Sequence, residues 1–158
     1  MISYSLQEIS QYTSRNKLFA LNIKDYETIN CIKWLNSEGV NVIDIGKELA
    51  YFVDNLNDFG YLDIRTFDYL KKILDKHKSK INSTGNEVLA IHNFGILFEP
   101  ALKLNPTYML KDFSKSASLI LIWENQIDVS DCLHWPTQQN KIFLDFTETP
   151  LKKLQYAI

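Results

Sequence analysis

The sequence predicts an α/β protein: a three-layer sandwich in which a mostly parallel sheet is covered by helices on both faces. Three observations predict it. The runs Leu18–Leu21, Val88–Ile91 and Leu119–Ile122 are continuously apolar, as strands buried on both faces must be. Segments with helical periodicity lie between them. The two kinds of segment alternate along the chain, which is the order that builds a parallel sheet through crossover helices.

Each element has a local reason. Ile2, Leu6, Ile9 and Tyr12 fall at helical spacing and predict a short N-terminal helix. Lys17–Ile23 reads as the first strand. Asp25 is placed to cap the helix that follows, Tyr26 to about Asn36, with Ile29, Ile32 and Leu35 on one face and Gly39 beyond its end. Val40–Ile43 is a short strand, and Asp44 caps a helix whose Ile45, Leu49, Phe52 and Val53 point inward. Asn55–Tyr61 reads as a loop. Asp63 is the expected cap of the longest helix, about Ile64 to Lys78, with Ile64, Phe67, Leu70 and Leu74 as its buried stripe. Asn82–Asn86 is a turn and Glu87–Ile91 a strand. Asn105 before Pro106 combines a cap residue with proline at the first helical position. That helix carries Tyr108, Met109 and Phe113, and Ser118–Trp123 is the most apolar strand. Cys132–Trp135 and Lys141–Phe146 read as late strands, and Thr149-Pro150 as the opening of a helical turn.

The 158 residues fit one domain spanning 1–158, large enough to bury a core without a disulfide or metal staple. A net charge of −2 excludes a global pull toward DNA or an anionic membrane. Cys31 and Cys132 stand far apart without a CxxC pattern, as expected of reduced thiols in a cytoplasmic protein. No apolar run approaches the ~20 residues of a membrane span, and no membrane association is expected.

Two stretches carry more than class. One is Val88–Pro106, with Asn93, then Ile96-Leu97-Phe98-Glu99-Pro100, then Leu102-Lys103-Leu104-Asn105-Pro106, followed by Phe113-Ser114-Lys115 and the strand ending at Trp123. The other is Val40-Asn41-Val42 with Lys47-Glu48-Leu49. In this order they resemble the small P-loop-like protein of type 3 BREX phage-defence systems, and Leu133-His134-Trp135-Pro136 is faintly similar to that family's closing region. The resemblance spans about Lys17 to Trp135. It implies a sheet of the P-loop NTPase type, a phosphate loop after the first strand, an acidic residue after the third, and protein subunits of a defence system as partners.

The chain departs from that pattern at both halves of the site. A phosphate loop needs glycines that let backbone amides close on phosphate, a lysine to neutralise charge, and a hydroxyl for Mg²⁺. The corresponding positions are Asn22, Glu27, Thr28 and Ile29, and no glycine lies between Lys17 and Glu38. Asp25 and Glu27 would repel phosphate. At the end of the third strand His92 and Asn93 replace the acidic Mg²⁺ partner, and neither is a hard anionic ligand. A degenerate nucleotide site is therefore expected: no catalytic residue, no cofactor and no metal.

Other candidates are weaker. His92 at a strand end suits a general base or a hydrogen-bonded structural histidine. Cys132 and His134 are too few ligands for zinc. Lys71, Lys72, Lys76, Lys78 and Lys80, with His77, form the one basic cluster. It could contact nucleic-acid phosphates, or serve the helix dipole and solvation. The tryptophans Trp34, Trp123 and Trp135 and the many Tyr and Phe residues exceed what the core strictly needs; core packing is the first expectation for each, and an outward partner surface the alternative for some. The expected function is a non-catalytic adaptor or regulatory subunit of an anti-phage assembly, acting through protein contacts. The alternatives are a nucleotide sensor that does not hydrolyse and a nucleic-acid-contacting accessory protein.

Overall fold

The computed structural model describes residues 3–125, 127, 132–134, 143–149 and 151–156. The strands are β1 (Ser3–Tyr4), β2 (Leu18–Asn22), β3 (Val42–Asp44), β4 (Ser79–Lys80), β5 (Glu87–His92), β6 (Ser118–Trp123), β7 (Cys132–His134), β8 (Phe143–Asp145) and β9 (Lys152–Leu154). The helices are α1 (Leu6–Ser10), α2 (Thr28–Ser37), α3 (Ile45–Asp54), α4 (Leu62–His77) and α5 (Pro106–Ser116). Single 3₁₀ turns occupy Asp25–Glu27, Gly95–Phe98 and Pro100–Leu102.

The main sheet runs β1-β9-β2-β6-β5-β3, with every pair in that path parallel; β4 joins β5 antiparallel. The three apolar runs are thus the inner strands β2, β6 and β5, as their composition requires. Alternate residues feed two separate cores. Leu18, Ala20, Leu89, Ile91, Leu119 and Leu121 meet α3, α4 and α5 on one face. Phe19, Leu21, Val88, Ala90, Ile120 and Ile122 meet α1 and α2 on the other. Helices on both faces of a mostly parallel sheet make the expected α/β layering. β7 and β8 pair antiparallel, and their Leu133 and Leu144 join the first core.

Several local expectations are corrected. The N-terminal segment is a strand followed by a helix. Ser5 caps α1 through a reciprocal pair, its Oγ accepting from the Glu8 amide at 3.1 Å while Glu8 Oε1 accepts from the Ser5 amide at 3.3 Å. The segment after Thr149 is strand β9, inserted between β1 and β2. Leu154 in this strand and Leu151 just before it would share a helix face; here they serve opposite cores. A position between two apolar layers selects the strand.

In α4 the buried residues are Thr66, Leu70 and Leu74, and Ile64 is 56% exposed. Tyr61, at φ 52°, caps this helix without a side-chain bond, and Asp63 sits inside the first turn. In α2 the buried face is Cys31 and Leu35, while Ile29 faces solvent. Trp123 is buried and Trp34 half-buried; Trp135 lies outside the described residues. The caps at Asp44 and Asn105 form as expected, accepting from Lys47 and Tyr108 amides at 2.9 and 3.1 Å.

Phe19 of β2 is fully buried, whereas Ile29 of α2 is exposed. Phe19→Ala should lower unfolding stability by roughly 3–5 kcal/mol, whereas Ile29→Ala should change it by under about 0.5 kcal/mol. Urea denaturation followed by circular dichroism measures both, and equal costs would contradict the two-core arrangement.

Candidate functional site

A parallel sheet gathers the carboxyl ends of its strands on one edge. Here these are Asn22 and Trp123, paired across β2 and β6, and Asp44 and His92, paired across β3 and β5. Ligands of open α/β sheets enter such an edge where successive connections leave on opposite faces. The chain leaves β2 into α2, in one core, and leaves β6 into the β7–β8 pair, in the other. The crevice position is therefore between β2 and β6.

The protein's own groups stitch that position together. The Asn22 side-chain amide donates to the carbonyls of Trp123 at 2.9 Å and Asn125 at 2.6 Å. The Ile23 amide also donates to the Trp123 carbonyl, at 2.9 Å. Only Ile23 and Lys24 separate β2 from the 3₁₀ turn, too short a link for a loop that curls around an anion. Asp25 Oδ1 accepts from the Tyr26 amide at 2.8 Å, and Glu27 Oε1 from the Lys24 amide at 3.0 Å. The Thr28 hydroxyl donates back to the Asp25 carbonyl at 2.9 Å. Asp25 does not cap the helix as expected: its carboxylate takes the adjacent Tyr26 amide within the 3₁₀ turn, and α2 begins at Thr28 without a side-chain cap.

The second half of the edge is also tied internally. Asn93 adopts φ 54°, a conformation asparagine tolerates better than most residues. Its side-chain amide donates to Asp44 Oδ1 at 2.9 Å, the same oxygen that caps α3, and its carbonyl accepts from the Gly46 amide at 2.9 Å. His92 Nε2 stands 4.0 Å from Asp44 Oδ2. Asp44 and Gly46 are thus part of this corner, a role the sequence reading gave only to His92 and Asn93. A Cβ on Gly46 would overlap the Asn93 amide and reach within 3.1 Å of its carbonyl oxygen.

Glu27 and Glu124 follow β2 and β6 and make that half of the edge acidic. Cys31 of α2, fully buried, has its thiol pKa pushed up from 9.0 to about 12, first by burial and then by the charges of Glu27 and Glu124. Among the described residues no group of three or more His, Cys, Asp or Glu could hold a metal, and no helix is long and apolar enough to cross a membrane. Cys132 Sγ lies 3.9 Å from Asp145 Oδ1, while the His134 side chain is outside the described residues.

The lysine cluster divides. Lys78 pairs with Asp75 at 3.4 Å and Glu87 at 3.9 Å. Lys71 and Lys78 line a depression that also holds Asp75 and Asp112, so that face is mixed in sign. Lys72, Lys76 and Lys80 are exposed.

A second site lies where the 3₁₀ turns and the α3–α4 loop meet. A cavity of about 780 Å³ is lined by Ala50, Val53, Phe59, Tyr61, Ile96 and Leu102, with Asp54, Asp63, Glu99 and Lys103 among its polar lining. A neighbouring depression of about 380 Å³ shares Asp63 and Lys103 and adds Ile64, Phe67, Asp68 and Tyr108. The sequence reading missed this surface. Its signal was Phe59 and Tyr61, two aromatics inside the loop Asn55–Tyr61.

Fold and corner together define an α/β protein with a mostly parallel sheet whose ligand edge is internally bonded. No family model matches the chain, and neither a curated protein nor a solved structure does.

Two outcomes test this geometry. Gly46→Ala should destabilise by about 1–3 kcal/mol, and less in an Asn93→Gly background, where the overlap is relieved. A denaturation double-mutant cycle reads the coupling. For Cys31 the folded pKa is raised, so the unfolded chain loses its proton first. Stability relative to Cys31→Ala should be fully present below pH 9.0 and fall as pH rises toward about 12, at about 1.4 kcal/mol per pH unit. A flat difference over that window would contradict it.

Proposed function

We propose that the protein is a non-catalytic, NTPase-like adaptor or regulatory subunit that works through protein contacts. The single observation that carries this reading is the internally bonded carboxyl edge. Asn22 bridges β2 to β6, while Asp25 and Glu27 occupy the amides of Tyr26 and Lys24. Phosphate would have to displace these bonds and meet Glu27 and Glu124 as well.

The strand order supports a P-loop-like layout. β6 stands between β2, which precedes the phosphate-loop positions, and β5, which ends at His92-Asn93. The anti-phage setting rests on the resemblance of Val88–Pro106 and Val40–Leu49 to the small BREX protein. The outward aromatics Phe59, Tyr61 and Tyr108 supply a surface for protein contact.

The test is nucleotide binding and turnover. With Mg²⁺, ATP and GTP should show no hydrolysis above background and no thermal shift. A ligand at 100 times its Kd would add about 2.7 kcal/mol of stability, so a shift of several degrees at millimolar ATP would overturn the reading. So would an ordered sulfate on the amides of residues 24 to 29.

A further inference from the structure

Of the seven large hydrophobic residues that stand exposed among the described residues, four line the two adjoining depressions: Phe59, Tyr61, Ile64 and Tyr108. Their exposures run from 56% to 81%. Apolar side chains concentrated in this way mark a surface that another molecule covers. The depressions meet at Asp63 and Lys103, which line both. The larger could hold one small ligand by volume. A ligand confined to it would leave Ile64 and Tyr108 bare. An occupant that covers all four must extend across the Asp63–Lys103 divide, as a length of polypeptide does.

The charge around this surface selects among polypeptides. Its ionisable lining is Asp54, Asp63, Asp68 and Glu99 against the single amine of Lys103. None of these five makes an ion pair among the described residues. A rim with four carboxylates around an apolar floor repels nucleic acid and anionic lipid, and attracts lysine and arginine. The walls are already braced. Arg65 Nη1 donates to the carbonyls of Asp58 at 3.1 Å and Gly60 at 3.4 Å and pairs with Asp58 Oδ1 at 3.3 Å, which holds the loop that presents Phe59. A braced loop loses little entropy when a partner binds.

We infer that this double cleft receives an amphipathic segment of a partner protein. The segment presents two apolar anchors, one for each depression, flanked by lysine or arginine that answers Asp54, Asp63, Asp68 and Glu99. The inference rests on the protein-contact reading above and names the chemistry of the partner.

The experiment uses the full chain and a fluorescein-labelled helical peptide of about five turns, with leucine and tryptophan on one face and lysines beside them. A twin carries glutamate in place of lysine. Anisotropy titration should show the basic peptide binding and the acidic twin at least ~10-fold weaker. Phe59→Ser, Ile64→Ser and Tyr108→Ser should each weaken the basic peptide by ~10-fold. These side chains are exposed, so the variants should keep wild-type thermal unfolding, which circular dichroism verifies.

Asp54→Lys with Glu99→Lys should weaken the basic peptide and strengthen the acidic one. Glu38→Lys with Glu124→Lys changes net charge equally at residues outside both depressions, and should leave affinity unchanged. Equal weakening by the two charge pairs would reduce the effect to generic attraction and overturn the inference. It would be overturned too if the acidic twin bound as tightly, or if a naphthylalkylamine dye bound in a Phe59-dependent, Tyr108-independent way while the peptide did not. ATP turnover measured on the same preparation tests the non-catalytic reading separately. Its presence would remove that reading and leave the peptide result standing, whereas failed peptide binding without turnover would remove only the docking inference.

Discussion

All six residues of β6 are buried, and a strand in that position needs hydrogen-bonding neighbours on both edges and an apolar layer on both faces. β2 and β5 supply the edges in parallel register. The α1–α2 layer and the α3–α5 layer supply the faces. Parallel pairing in turn forces each chain connection to cross from one end of the sheet to the other, so the helices are a consequence of the strand order. The second consequence is that all carboxyl ends of the principal strands emerge together. Burial of β6 therefore places Asn22, Asp44, His92 and Trp123 on one edge whatever their chemistry.

What distinguishes this chain is how that edge is satisfied. An edge built to bind an anion leaves backbone amides free and keeps carboxylates away. Here the side chains of Asn22, Asp25, Glu27 and Asn93 take backbone or side-chain partners from the same edge. Asn93 holds a left-handed backbone conformation, and its carbonyl and side chain both bond across to the β3–α3 junction. A strained residue held by two bonds can lock a junction as well as serve a reaction. Gly46 is the complement: any side chain there would meet Asn93.

Much of the fold was legible because its strongest signals are local. Continuous apolar runs located the inner strands, and Asp44 and Asn105 announced their helices through cap chemistry. The misses have one physical origin, which is that long-range pairing leaves little local trace. β1 is two residues long and exists through β9. β9 is three residues long; Leu154 within it and Leu151 just before it enter opposite cores, which only the assembled sheet defines. Ile64 and Ile29 look like core residues by hydropathy, yet the helices that carry them present Thr66 and Cys31 inward. The corner residues were legible as departures from a pattern, but their partner Asp44 was not, because the contact joins residues 49 positions apart. The double cleft stayed hidden for the same reason: it is assembled from a loop, two 3₁₀ turns and the flanks of α3, α4 and α5.

Charge at helix ends separates structural from functional placement on this surface. Lys76 and His77 in the last turn of α4, and Asp63 in its first, all agree with the helix dipole and stabilise the fold where they stand. Lys76 is thus favoured by the dipole where it stands, and Lys78 by its carboxylate partners Asp75 and Glu87. Asp54 is different. It is the last residue of α3, at the negative end of that helix's dipole, with no basic residue in the turn to offset it. A carboxylate there weakens α3, yet it faces the same cavity as Asp63 and Glu99. Local rules are broken where something outside the fold gains from it. The one carboxylate of the rim that the helix dipole opposes therefore argues more strongly for a cationic partner than Asp63, which the dipole of α4 favours.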